Sequence, residues 1–317
     1  MQPIEQVRVV VFLGAVVLIY GLAAGILVRL VLQRFGRMTL SRSRRQVWFR
    51  MIILILAATG TLCIAYGFFI EPNWPQVTHV RIESSKLKPG SRPIRIVQIS
   101  DLHSESRPRL EGRLPGIIAA ENPDLIVFTG DSLNEPEGLP VFKECLKKIA
   151  AIAPTFTVRG NWDAWYWSDL DLFGGTGAYE LRSEAVKVDV GGTPLRIAGV
   201  PVEEEGRIGM VLNSIPSGEF SVFLHHYPDE IMEVAGRKVD LYCAGHLHGG
   251  QIALPFYGAL VTLSRYGKRF EAGLYRVGET HLYVNRGIEM EGGKMPRVRF
   301  FARPRVTVIE IHPTGGR

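Results

Sequence analysis

The chain has 317 residues and a formal charge of +6, enough for one catalytic domain and an additional segment. Its three cysteines, Cys63, Cys145 and Cys243, lie far apart with no CxxC pair, which excludes a disulfide framework or a zinc cage and reads as buried or lipid-facing thiols. Residues 1–70 hold eight Arg, no Lys and one acid, Glu5, leaving 29 basic and 30 acidic side chains for the rest, so the charge does not indicate a nucleic-acid groove.

The first elements are two apolar runs. Val9–Val28 and Met51–Ile70 each contain 20 residues without a charge, and as helices each spans roughly 30 Å, the thickness of a bilayer's hydrocarbon core. Two transmembrane helices are therefore expected. The first run is too long, and its flank too weakly basic, for a cleaved signal peptide. Arg29, Arg34, Arg37, Arg42, Arg44, Arg45 and Arg50 flank or join the runs, and the positive-inside rule places this segment in the cytoplasm. The expected location is the inner (cytoplasmic) membrane, multi-pass, with the catalytic domain on the extracytoplasmic side. One span plus an interfacial segment would reverse that side. The expected division is a membrane anchor over 1–75 and a catalytic domain over 76–317. Glu71-Pro72-Asn73-Trp74-Pro75 forms the tether, with Trp74 suited to a membrane interface.

From residue 90 the pattern becomes short apolar runs that end in polar residues. Ile94–Ser100 precedes Asp101-Leu102-His103, and Leu125–Thr129 precedes Gly130-Asp131. Thr155–Val158 leads to Gly160-Asn161-Trp162-Asp163, Phe220–Leu224 to His225-His226, and Val239–Cys243 to Gly245-His246-Leu247-His248. Helical patterns lie near 109–121, 139–151 and 228–235, with further strands at 185–200, 272–286 and 304–311. This alternation predicts an α/β layered domain with its site at the C-terminal ends of the strands. Each loop taken singly is weak. Five in succession, carrying imidazoles and carboxylates, supply the donor types that hold hard and borderline metals.

With those residues in order, the segment over about 93–312 resembles the calcineurin-like metallophosphoesterases. Its Gly-His-Leu-His-Gly-Gly-Gln form and its two N-terminal apolar helices are similar to the membrane-associated bacterial branch, which includes the UDP-2,3-diacylglucosamine hydrolases of lipid A synthesis. The resemblance implies a two-sheet sandwich flanked by helices and a site for two divalent ions, Mn first, with Fe, Zn or Mg as alternatives. By position Asp101, His103 and His248 would hold one ion and Asn161, His226 and His246 the other, with Asp131 between them. Such a pair, roughly 3.5–4 Å apart, clamps a phosphate. Asp131, Asn161 and His226 are the expected catalytic residues. Arg159, Trp162 and His225 are the expected substrate contacts, His225 being read equally as a structural neighbour of a ligand.

One position departs from the family pattern. The usual histidine after Gly-Asn, assigned to protonating the leaving group, is Trp162 here. Indole only donates a hydrogen bond, so anhydrides and activated diesters become better substrates than alkyl phosphates. Trp162, Trp165, Tyr166 and Trp167 form an aromatic patch, read either as a stacking or membrane surface or as a local cluster. Lys294, Arg297, Arg299, Arg303 and Arg305 are read as an approach for an anionic substrate or as a solvated strand face. The expected function is dinuclear-metal hydrolysis of a phosphodiester or pyrophosphate bond in a phosphorylated lipid or envelope substrate, without nucleic acid as a partner. The alternative is UDP-2,3-diacylglucosamine pyrophosphatase activity.

Overall fold

In the computed structural model, which describes residues 3–40, 43–237, 239–292 and 296–314, the apolar runs become two helices. These are α1 (Pro3–Arg34) and α2 (Arg44–Ala65), the latter continued by a π-helical turn over Tyr66–Ile70. Both are long and apolar enough to cross a membrane. Their side chains are apolar on nearly all sides, the pattern of a lipid-exposed helix. Ala23 and Ile26 pack against Ile53 and Ala57, and Tyr20 Oη lies 3.0 Å from Thr61 Oγ1. Small residues at such a contact let the two backbones approach.

The chain divides into two compact units at Ile70/Glu71, five residues before the expected boundary. Glu71 belongs to the second unit because its buried carboxylate accepts the backbone N–H groups of Phe301 (2.9 Å) and Ala302. The tether is equally engaged. Trp74 lies 4.0 Å beneath the Arg303 guanidinium, which also donates to the carbonyls of Trp74 and Pro75.

The second unit begins with β1 (Gln76–Ser84), β2 (Ile94–Ile99), α3 (Leu114–Ala120), β3 (Leu125–Phe128), α4 (Leu139–Ala150), β4 (Thr155–Thr157), α5 (Asn161–Tyr166) and β5 (Tyr179–Glu180). It continues with β6 (Glu184–Val190), β7 (Thr193–Gly199), α6 (Ile208–Asn213), β8 (Phe220–Leu224), α7 (Ile231–Gly236), β9 (Leu241–Ala244), β10 (Ala253–Leu254), β11 (Gly258–Ala259), β12 (Gly273–Val277), β13 (Thr280–Val284) and β14 (Arg305–Pro313). Among the described residues these strands form two six-stranded sheets, ordered β1-β14-β2-β3-β4-β5 and β12-β13-β9-β8-β7-β6, and a β10–β11 hairpin.

Strand alternation distributes the apolar side chains to both faces of each sheet. Ile96, Leu125, Val127, Ile197, Val222, Leu224, Leu241 and Ile309 meet between the sheets. Val97, Ile99, Ile126 and Phe128 face Ile118 of α3 and Phe142, Leu146 and Ile149 of α4. Phe223, Tyr242 and Leu282 face α6 and α7. Burial on both faces explains why the central strands read as continuous apolar runs. The layers are helix, sheet, sheet, helix, as the family resemblance implies.

Three expectations change in detail. Strand β1 lies before the stretch read as strands. Its exposed Arg81 and Glu83 hide a strand that pairs in parallel with β14, Val80 opposite Ile309. The expected helix over 109–121 shrinks to Leu114–Ala120. The basic C-terminal stretch does not form one face: Arg299 is fully buried, Arg297 is exposed and pairs with Glu105, and Arg303 and Arg305 hold Trp74, Pro75 and Gln76. Lys294 lies outside the described residues.

Candidate metal centre

The five polar loops lie at the C-terminal ends of β2, β3, β4, β8 and β9. β2, β3 and β4 run parallel in one sheet, and β8 and β9 run parallel in the other. Backbone bonds continue the ladders past the strands: Asp101 N–H donates to Gly130 O (2.9 Å), His103 N–H to Asp131 O (3.1 Å) and Gly245 N–H to His226 O (3.0 Å). The Gly130 and Gly160 loops touch so closely that a Cβ on Gly130, itself at φ +98°, would run into the Gly160 backbone.

Five side chains of the site sit on left-handed backbone: Asp101, His103, Asp131, His246 and His248, at φ between 38° and 70°. Few non-glycine residues adopt this conformation, and it costs on the order of 1 kcal/mol or more at each position. Strain concentrated in one cluster marks a site whose geometry is held by its surroundings.

The cluster contains two donor groups. Asp101, His103 and His248 form one, and Asp131, His226 and His246 the other, with the donor atoms of each within 4.8 Å of one another. The groups are continuous. Asp131 Oδ2 lies 3.1 Å from His226 Nε2 and 3.6 Å from His103 Nε2, so it faces both. Asp101 Oδ1 lies 3.2 Å from His248 Nε2 and 3.9 Å from His226 Nε2. His226 Nδ1 lies 2.6 Å from Thr129 O. A carbonyl only accepts, so Nδ1 carries a proton and Nε2 faces the cluster. Asn161 is buried, and its Oδ1 has no hydrogen-bond partner, nor do Asp101 Oδ2, His226 Nε2 or either ring nitrogen of His103. Buried polar atoms left this way are costly. Their mixed N/O chemistry fits divalent ions of the borderline class.

Electrostatics follow the same pattern. Burial works against charge on Asp101, but His248, His226 and His103 outweigh it and hold the carboxyl well below the usual range. Asp131 is likewise buried, and His226 and His103 hold it low. Burial pulls the His103 imidazole down to about 4 and His246 to about 3. Burial also opposes protonation of His226, but Asp131 and Asp101 win and lift it to about 9.

Trp162 borders the cluster. Its backbone N–H donates to Asp131 Oδ1 (2.8 Å), its ring meets His103 edge-on at 5.2 Å, and its Nε1 donates to Glu291 Oε1 at 3.3 Å. The aromatic patch divides. Trp167 is held by a bond to Leu133 O (2.9 Å) and packs on the core, whereas Trp165 and Tyr166 are exposed. Arg159 is directed elsewhere: it pairs with Glu180 at 2.9 Å and donates to the carbonyls of Trp167, Ser168 and Leu170. His225 is fully buried, bonded through Nδ1 to Val200 O at 2.7 Å and stacked on Phe223.

The supporting residues were not evident from the sequence. Asp163, fully buried, accepts the backbone N–H groups of Gly160 and Asp131 (2.9 Å each) and Ser132 (2.8 Å), clamping two loops together. Its place at the third position of a short helix was the available signal. Gln98 donates to Ala244 O, and Asn285 donates to Gln98 O, tying the two sheets beneath the cluster. Arg299 donates to the carbonyls of Arg286, Ala302 and Glu289, and to His248 Nδ1 at 3.4 Å.

A family profile described as "Calcineurin-like phosphoesterase" matches residues 94–250. The Bacillus subtilis protein "Uncharacterized metallophosphoesterase YkuE" is 33% identical over 290 residues, covering 86% of this chain and 98% of that protein. "Phosphodiesterase YaeI" of Escherichia coli is 28% identical, covering 83% and 98%. "UDP-2,3-diacylglucosamine pyrophosphatase LpxG" of Chlamydia muridarum is 24% identical, covering 80% and 94%.

Proposed function

This chain belongs to the calcineurin-like phosphoesterase family of phosphoric ester hydrolases, and we propose that it cleaves a phosphodiester or pyrophosphate bond in a phosphorylated lipid or envelope substrate. The observation that carries the reading is the pair of donor groups joined through Asp101 and Asp131. In it, Asp101, His103 and His248 would hold one divalent ion and Asn161, His226 and His246 the other, with Asp131 facing both groups. Mn is the first choice of metal. Bound there, two such ions neutralise phosphate charge and acidify water. The chain's own contribution is placement: Asp163 and the Gly130–Gly160 contact fix the Asp131 loop, and Thr129 O orients His226. Trp162 packs edge-on against His103 and covers one side of it. Residues up to Ile70 anchor the enzyme to the membrane, with the Arg-rich segment between α1 and α2 in the cytoplasm and the catalytic unit outside.

A second reading, hydrolysis of UDP-2,3-diacylglucosamine, is favoured by the likeness to the chlamydial protein of that name. The two readings separate by topology, because a nucleotide-linked precursor is a cytoplasmic compound. Reporters active only in the periplasm or only in the cytoplasm, fused after His312, decide between them. Periplasmic signal supports the envelope substrate, and cytoplasmic signal overturns the proposed orientation and favours the nucleotide-linked lipid.

A further inference from the structure

The β10–β11 hairpin begins two residues after Gln251, which closes the glycine turn behind His248. Its turn is Pro255-Phe256-Tyr257. Phe256 is fully exposed at the tip, and its φ is +62°. Phenylalanine is unfavourable there on two counts, since left-handed backbone disfavours bulky side chains and its ring is left in water. Glycine or asparagine would remove the strain at no cost to the turn. An outlier of this kind points to a use beyond folding.

The surroundings indicate what the tip meets. Tyr257 and, further along the chain, Leu263 are exposed, and the Lys268 ammonium, which pairs with Glu271 at 2.9 Å, lies 4.4 Å from the Tyr257 ring centroid. Arg269 is exposed and has no carboxylate partner among the described residues. Aromatic rings bordered by cations are the composition that settles at the headgroup layer of an anionic bilayer. The base of the hairpin is fastened to the segment that follows the membrane helices. Ile252 pairs with Phe300, Ala253 N–H donates to Phe300 O (2.8 Å), and the exposed Phe301 is held through its N–H by Glu71. Glu71 is covalently the next residue after Ile70, where the apolar helical segment ends. On the other side the segment after β11 reaches the site, because Val261 and Leu263 line one pocket with His246, His248 and Glu291.

We propose that the Pro255–Tyr257 tip docks into the interfacial layer of the lipid bilayer and seats the pocket beside the metal ligands at the membrane surface. Its purpose rests on the reading of a lipid-borne phosphate substrate. Its test does not. The full chain carrying Phe256→Cys and Cys63→Ala is labelled with an environment-sensitive fluorophore, Cys145 and Cys243 being buried. It is then reconstituted in nanodiscs of phosphatidylethanolamine and phosphatidylglycerol. The expected result is blue-shifted emission that is lost when lipids spin-labelled near the headgroup are included. Water-like emission indifferent to those lipids overturns the proposal. So does a blue shift that grows with protein per disc without lipid quenching, which would mean that a second copy covers the tip. The label reports docking whether or not a hydrolysable lipid is present, so a failed substrate assay and a failed docking assay are separate results.

Discussion

Replacing Trp162 by histidine tests how this site treats the leaving group. The indole contacts His103 at 5.2 Å and Tyr166 at 4.9 Å between centroids, and its Nε1 reaches Glu291 at 3.3 Å. The ring contacts are worth about 0.5–1.5 kcal/mol each and the long hydrogen bond about 1 kcal/mol. From these contacts Trp162→His therefore loses about 2–4 kcal/mol, a fall in Tm on the order of 10 °C for a unit of this size. Against this the imidazole can keep Glu291 as its acceptor, which favours the protonated form. A positioned general acid contributes ~10²–10⁴, and a residue on the rim should reach the lower end. We expect kcat/KM on an alkyl phosphodiester to rise roughly 10- to 100-fold. Bis-nitrophenyl phosphate, whose leaving group needs no proton, should change little, and Trp162→Phe should show no gain. A flat response on the alkyl ester, or an equal rise on both substrates, would refute the reasoning.

Metal loading should be coupled to a proton. In the metal-free protein His226 is lifted to about 9 by Asp131 and Asp101 against the cost of burial, and a metal must displace that proton. Calorimetry at pH 7.5 in buffers of differing ionisation enthalpy should show release of about one proton per chain, and no release would contradict the assignment. In stability the signs oppose one another. The contribution of His226 is present below pH 6.5 and lost as pH rises towards 9, whereas His103 and His246, depressed to about 4 and 3, cost stability as pH falls below 6.5. These groups therefore place the metal-free optimum near pH 6.5. Arg159→Gln should lower Tm by several degrees, because it removes a half-buried pair with Glu180 and three carbonyl caps. It should leave KM for a nitrophenyl ester unchanged, and a tenfold rise in KM with an unchanged Tm would restore Arg159 as a phosphate contact.

The positions of the seven candidate ligands were legible because each follows an apolar strand, and strand ends converge at one edge of a layered sheet. What decided their geometry was not legible. Left-handed backbone at Asp101, His103, Asp131, His246 and His248 is uncommon for any residue with a Cβ, Asp and His included, so local propensity does not announce it. The directions taken by Arg159 and Arg299 were not legible for one reason: charge in a sequence carries no direction. Adjacency to the Asn161 loop made Arg159 look like a phosphate contact, yet its side chain is held by Glu180 and nearby carbonyls. A run of arginines looked solvated, yet Arg299 is fully buried as the donor for three carbonyls. Strand β1 was missed because an edge strand exposes half of its residues.

The division of ligands between the two sheets has a mechanical consequence. Asp101 and His103 follow β2 of the first sheet, while His248 follows β9 of the second; Asp131 follows β3, while His226 and His246 follow β8 and β9. Each donor group therefore exists only if the sheets keep their separation. That separation is set by the layer of Ile96, Leu125, Val127, Val222, Leu224 and Leu241 between them and by the Gln98–Ala244 and Asn285–Gln98 bonds across them. Close-packed interiors transmit small volume changes instead of absorbing them. The inter-sheet core is thus part of the candidate metal centre in a physical sense, which explains how five strained backbone positions persist together at the strand ends.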